Sequence, residues 1–308
     1  MTFDLLACQF HLAARRVIQF RPGLAGNVLR GALGYGLREV AGADYARIFE
    51  PAAATAGPSG LSDWPRPFVI RAAALSGRSV QVGERFCFDL HLFETSSPTL
   101  DYFTRALAQW AELISVEQTA VSVELIPWNV PVSRVRVEFQ TPTQLKTAAG
   151  LAETGFPVLL ARARDRVGNL RSLYGAGPLE IDFRGLQERS RSVKTARSEV
   201  HRVAVQRRSS RTGQRHGIGG LVGFAEYEGD LTEFLPYLEA AHWTGVGRHC
   251  TWGNGEIHTT ILNSQSLVGL KPEARSQDSR KETVILSTTP AHMIDQKSES
   301  PLADGRGS

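Results

Sequence analysis

One order of elements, readable twice along the chain, limits the fold more than any single motif. Residues 3–12 alternate as a strand, with Leu6, Cys8, Phe10 and Leu12 on one face and Gln9 and His11 on the other. After Arg21-Pro22-Gly23 the spacing of Val28, Leu29, Leu33 and Leu37 predicts a helix over 25–40. Its glycines at 31, 34 and 36 each cost roughly 1 kcal/mol of helix propensity, so the helix needs close packing that only glycine permits. Strands are expected over 68–74 and 86–93. A helix capped by Ser97, with Pro98 at its first position, then carries Phe103, Leu107, Trp110 and Ile114, and a strand over 120–126 closes the unit. Between the first helix and the next strand, 52–67 reads as a Pro/Gly/Ser/Ala loop. The order is β-α-β-β-α-β.

The same order follows again. Residues 134–140 alternate as a strand, and Thr141-Pro142 reads as a turn. A helix over 156–174 stops at Gly175. Strands are expected at 199–207 and 219–228, with a basic loop between them. Asp230 and Glu233 suggest a capping pair for a short helix reaching Leu238, and a strand over 256–262 ends the unit. The prediction is an α+β protein of two tandem ferredoxin-like (RRM-like) domains, at 1–130 and 131–262, with a glycine-rich loop near the end of the second. Beyond 262 the composition turns to Ser, Lys, Glu, Gln and Thr with balanced charge, which predicts a mostly disordered tail over 263–308.

The chain has 308 residues, enough for two such domains. No apolar run is long enough to span a membrane, and the N-terminus shows no leader pattern, so a cytoplasmic protein without a membrane partner is expected. Its three cysteines, Cys8, Cys87 and Cys250, are scattered and include no C-x-x-C pair, so no metal site and no cofactor is expected. Cys8 and Cys87 are expected as small core residues.

Net charge is only +4, but it is unevenly placed. Residues 162–215 hold thirteen Arg and one Lys against five acidic residues. Arginine donates in a planar fork suited to phosphate and stacks on bases, so this excess points to a polyanion. Within it, Arg207, Arg208, Arg211 and Arg215 flank His216. Residues 245–255, Gly-Val-Gly-Arg-His-Cys-Thr-Trp-Gly-Asn-Gly, place Gly245, Gly247, Gly253 and Gly255 around Arg248 and His249. Glycine lets backbone amides approach a ligand, and several amides in one concavity attract an anion; a tight turn before the last strand has the same composition. Residues 217–223 do not fit a dinucleotide fingerprint, and no glycine loop is followed by G-K-[ST].

The ordered set of pieces resembles the RAMP superfamily of CRISPR-associated proteins. Within it, the set is similar to the endoribonucleases that process CRISPR precursor RNA, in the branch with a glycine-rich C-terminal domain. The pieces are Phe20-Arg-Pro-Gly-Leu-Ala-Gly-Asn-Val-Leu-Arg-Gly-Ala-Leu-Gly34, Thr141-Pro-Thr-Gln-Leu-Lys146, Leu173-Tyr-Gly-Ala-Gly-Pro178, Arg208-Ser-Ser-Arg211, Gly219-Gly-Leu-Val-Gly223, and His242-Trp-Thr-Gly-Val-Gly247 through Gly255. Many relatives carry a cysteine pair ahead of a Tyr-x-x-x-Phe step; Tyr45 and Phe49 are present here without it.

The resemblance implies metal-independent cutting within CRISPR repeat RNA. The 2′-hydroxyl attacks its own phosphate and leaves a 2′,3′-cyclic phosphate. Such chemistry needs a base, an acid and cations for the developing charge. Catalytic candidates are His216, His242 and Tyr35, with His249, His11 and Arg38 as further possibilities. RNA-binding candidates are Arg207, Arg208, Arg211, Arg215, Gly245, Gly247, Arg248, Gly253 and Gly255. Partners are CRISPR repeat RNA and a CRISPR effector complex, with the protein as monomer or homodimer. The competing expectation is a RAMP subunit that holds CRISPR RNA without cutting it.

Overall fold

The computed structural model describes residues 1–51, 64–94, 99–147, 150–151, 154–208, 213–262 and 282–284. The first half contains β1 (Thr2–Ala13), α1 (Ala25–Val40), α2 (Asp44–Phe49), β2 (Phe68–Arg71), β3 (Arg85–Leu92), α3 (Thr99–Trp110) and β4 (Glu112–Glu124). The strands form an antiparallel sheet in the order β4-β1-β3-β2, and Glu282–Val284 extends it beyond β4. The second half contains β5 (Arg134–Thr143), α4 (Phe156–Tyr174), α5 (Phe183–Arg189), β6 (Lys194–Val203), β7 (Gln206–Arg208), β8 (Arg215–Gly217), β9 (Gly220–Glu228), α6 (Leu235–Thr244) and β10 (Ile257–Ile261). Its main sheet runs β6-β9-β5-β10, again antiparallel. Both orders are 4-1-3-2 or its mirror reading, the ferredoxin-like arrangement.

The two halves share one strand's faces. Cys8, Phe10 and Leu12 of β1 point into a core with α1 and α3, where Phe10 stacks on Phe88 at 5.6 Å. Phe3 and Leu5, offset by one residue, enter the second core beside Phe156, Leu160 and Leu238. Alternation makes this possible, since successive side chains leave opposite faces of a strand. The first sheet is therefore covered on both faces, by its own helices and by α4 and α6. Each fully buried Leu or Phe in these cores contributes about 1.5–3 kcal/mol of burial energy.

The glycines of α1 divide by role. A Cβ at Gly34 would overlap the Phe49 ring, and one at Gly36 would overlap the Ala106 backbone, so α1 sits on α2 and α3 at glycine distance. Gly31 faces open space.

Several local expectations change. α3 ends at Trp110, and Ile114 belongs to β4, because β1 pairs along β4 from Thr2 opposite Glu124 to Ala13 opposite Glu112. Helical spacing yields there to a long ladder. Thr141-Pro142 is not a turn: β5 runs on to Thr143, and the Pro142 carbonyl accepts the Gly255 N–H at 3.2 Å. β2 stops at Arg71, before a 3₁₀ turn at Ala73–Leu75. β6 begins at Lys194, and the expected basic loop is partly the hairpin β7–β8. Asp230 and Glu233 form no capping box. Glu233 is taken by Arg189 at 2.8 Å, and α6 starts at Leu235 with Pro236 in its first turn. Cys87 is exposed, since it alternates with the buried Phe86 and Phe88. The Ser97-Pro98 cap and most of the 52–67 loop lie outside the described residues, as does the tail apart from 282–284.

Candidate nucleic-acid interface

The N-terminus of α1 docks on the glycine loop of the second half. A Cβ at Gly26 would overlap the Trp252 carbonyl, so glycine alone allows this approach. One turn further along α1, the Arg30 guanidinium lies 4.3 Å from the Phe49 ring and 4.9 Å from the Trp252 ring. From the other direction, β7 brings the Arg207 guanidinium to 4.6 Å from the same Trp252 ring. Cation–π contact holds both groups in place. Neither has a carboxylate partner among the described residues, and the Nε of each is buried without a hydrogen bond.

Their electrostatics match this geometry. Burial, then repulsion from Arg66 and Arg207, lowers Arg30 to about 10, only partly offset by Tyr45 and Glu50. Burial lowers Arg207 as well. Both remain cations at neutral pH. Two guanidinium groups meeting at one indole ring, each half withdrawn from water without an ion-pair partner among the described residues, make an arrangement suited to an anion.

The hairpin adds His216, which stands directly opposite Arg207 in the β7–β8 register and is exposed. His249 lies 5.1 Å from Trp252, ring to ring, with a left-handed φ of 65°. Burial, then the charges of Arg248, Arg207 and His216, lowers His249 to about 4, so it is neutral at pH 7. Arg248 is exposed beside it. The structure thus brings together Arg207, His216, Arg248 and His249, and adds Arg30 and Trp252.

The other predicted residues fall elsewhere. His242 sits on α6 with its Nδ1 3.1 Å from the Ile257 carbonyl, and lines a cavity between the two halves. Its ring neighbours among the described residues are Trp243 at 5.1 Å and His258 at 5.8 Å, not residues of the hairpin. Tyr35 is 72% exposed on α1, five residues from Arg30 and so roughly 140° around the helix. Arg38 donates to the Tyr45 hydroxyl at 3.1 Å, and His11 pairs with Glu117 at 3.5 Å. Arg208 lies opposite Arg215, one step along the hairpin from the Arg207–His216 pair. Arg211 lies outside the described residues.

Three of the four loop glycines spend their amides within the fold. The amides of Gly245, Gly253 and Gly255 donate to Ala241, Cys250 and Pro142. Gly245, Gly247, Gly253 and Gly255 all have φ between 71° and 84°, and a Cβ at Gly247 or Gly255 would overlap the Gln144 or Val246 carbonyl. Arg248 N–H donates to Gln144 at 3.2 Å. The loop is thus a rigid mount for Trp252 and His249, and positive charge at the site comes from side chains.

Residues 137–257 match the family model of the CRISPR-associated endoribonuclease Cas6, and residues 3–127 match a model described as an N-terminal domain. The second half of this chain thus matches Cas6, and the chain shares the fold of solved Cas6 structures. No curated protein matches it. Among solved structures, Thermus thermophilus Cas6 is similar at 15% identity and a TM-score of 0.53, over 84% of this chain and 99% of that one. A Cas6 product complex gives the same identity and score, over 83% of this chain and 100% of that one. A partial Cas6-RT-Cas1–Cas2 complex gives 12% and 0.58, over 88% of this chain but 49% of that longer one. At such identities the likeness is one of fold. Among the described residues, no helix is long and apolar enough to cross a membrane.

Proposed function

We propose that this protein cuts within CRISPR repeat RNA, by attack of the 2′-hydroxyl on the adjacent phosphate, without a metal ion. The observation that carries the reading is the pair of half-buried arginines, Arg30 and Arg207, over Trp252, neither with an ion-pair partner among the described residues. A phosphate held there meets two cations where charge develops in the transition state. A base stacks on Trp252 or on the guanidinium planes. His216, opposite Arg207, is the proton-transfer group for the 2′-hydroxyl or the leaving 5′-oxygen. His249, held neutral, accepts a hydrogen bond or proton within the same cluster. Arg248 and Arg215, both exposed, guide the flanking backbone. The Cas6 match over the second half and the product complex among its structural relatives support the reading.

The test is incubation of the full chain with repeat RNA from its own genome in EDTA, beside the same RNA carrying a 2′-deoxy at the cut site. The expected result is one cut, abolished by the 2′-deoxy. Tight binding of both RNAs without a cut would instead place the protein among RAMP subunits that only hold CRISPR RNA.

A further inference from the structure

A cavity lies between the two halves, lined in part by His242, Trp243 and Glu256, which flank the glycine loop in sequence. Its volume is about 380 Å³, within the roughly 300–1,000 Å³ range of ligand pockets. Arg71, at the end of β2, lines it and is only 6% exposed. Its Nη2 donates to the carbonyls of His242 (2.9 Å) and Trp243 (3.2 Å), which closes the C-terminus of α6. Its Nη1 is buried with no hydrogen-bond partner among the described residues. Glu256, which follows the loop's last glycine, lines the same cavity, and its Oε2 is likewise buried and unmet. Arg71 and Glu256 attract each other but form no ion pair among the described residues. Unmet buried donors and acceptors are expensive, and a donor and an acceptor on one wall ask for a ligand carrying both functions.

The rest of the wall narrows its chemistry. Trp243 offers a ring, with His91 at 5.0 Å and His242 at 5.1 Å. Each imidazole meets a carbonyl through Nδ1, Trp243 at 2.8 Å for His91 and Ile257 at 3.1 Å for His242, and burial favours the neutral form of both. Asp89, which accepts from Gln9 at 2.9 Å, and Glu117 also line the cavity. Three carboxylates against one arginine disfavour a phosphate. The described residues hold no group of His, Cys, Asp and Glu fit for a metal ion. What fits is a neutral planar ring that accepts from a guanidinium on one atom and donates to a carboxylate on its neighbours. Guanine has that edge, with O6 beside N1–H and N2–H; adenine offers a carboxylate only its N6 donor.

We infer that the cavity binds a guanine base, with Arg71 donating to O6 and Glu256 accepting from N1–H and N2–H. The base comes from a free nucleotide or from an unpaired guanosine in RNA. The inference stands apart from the ribonuclease reading, since it needs no cleavage.

The experiment is calorimetric titration of the full chain with GMP, AMP and IMP. A short single-stranded RNA carrying one guanosine is titrated beside its adenosine counterpart. The expected preference for guanine over adenine is about tenfold or more, and Glu256→Gln should erase it. Preference among the free nucleotides assigns a nucleotide site. Preference seen only in the RNA pair assigns an RNA base site. If Glu256→Gln does not fold, IMP against GMP (or inosine against guanosine within the RNA) reads the same contact, because inosine lacks the 2-amino group; about tenfold weaker binding is expected. No guanine preference in either pair, a preference that survives Glu256→Gln, or equal affinity for the inosine form overturns the proposal.

Discussion

The glycine loop has two sides, and they differ in the sign of what they leave unpaired. On the α1 side, Arg30 and Arg207 lie over Trp252 without an ion-pair partner among the described residues, and His249 is kept neutral by burial and by cations. On the cavity side, a single buried arginine, Arg71, stands among Asp89, Glu117 and Glu256 with two histidines whose neutral form burial favours. The first side is charged for a polyanion and the second for a neutral polar ring. The loop's positive-φ glycines let it pack closely on Gln144 and Val246, and the charge in both regions comes from side chains.

The sharpest break is expected at the catalytic step on the α1 side. His216→Ala should lower the single-turnover cleavage rate by about 10²–10⁴-fold while leaving RNA affinity nearly unchanged, whereas His242→Ala, on the cavity side, should leave the rate within a few-fold. If His242→Ala proves the slow variant, the comparison is reversed and the cavity is the catalytic side. Next comes the loop itself. Gly255→Val forces a side chain into the Val246 carbonyl at a φ of 71°, and should destabilise the chain by about 3 kcal/mol, read as a fall in melting temperature. A variant that melts like the parent would mean that the loop is not the rigid mount described.

How much of this was legible in the sequence differs between the two sides as well. The twofold element order was readable because β1, β3 and β5 alternate and α1 and α4 carry long helical spacings. Charge and glycine mark Arg207, His216, Arg248 and His249 locally, and the structure brings these four together. Arg30 and Trp252 were not assigned, because their meaning is a contact between the halves; the local hint was Gly26, whose missing side chain lets α1 reach the Trp252 carbonyl. The cavity was invisible for the same reason. Arg71, His91 and Glu256 come from β2, β3 and the approach to β10, and none carries a spacing signal. Ile114 was misplaced because a helical period continued one turn past the point where pairing with β1 takes over.

A smaller effect sharpens the charge contrast. Arg30→Met with Arg207→Met removes both cations while keeping much of the apolar cover on Trp252. RNA affinity should fall by about tenfold per arginine, and the slope of log affinity against log salt should flatten by roughly 1.4, the value for two lost contacts to a single strand. Arg71→Met, on the other side, should leave that slope unchanged. Equal salt slopes in the parent and the Arg30/Arg207 variant would remove the polyanion reading from the α1 side.

The smallest and most specific difference is one of pH. His91 is buried against the cavity, and desolvation, with the Arg71 charge second, lowers it from 6.5 to about 3. Between those values the unfolded chain binds a proton at this position and the folded chain does not. Stability conferred by the neutral imidazole is therefore complete above pH 6.5 and falls with acidification, by up to about 1.4 kcal/mol per pH unit, until the folded group titrates near 3. His91→Gln keeps a donor for the Trp243 carbonyl and cannot take the proton, so its denaturant midpoint should decline less steeply between pH 6.5 and 4 than the parent's. A His91→Gln midpoint that declines as steeply as the parent's between pH 6.5 and 4 would remove the support that His91 gives to the neutral-ring character of the cavity.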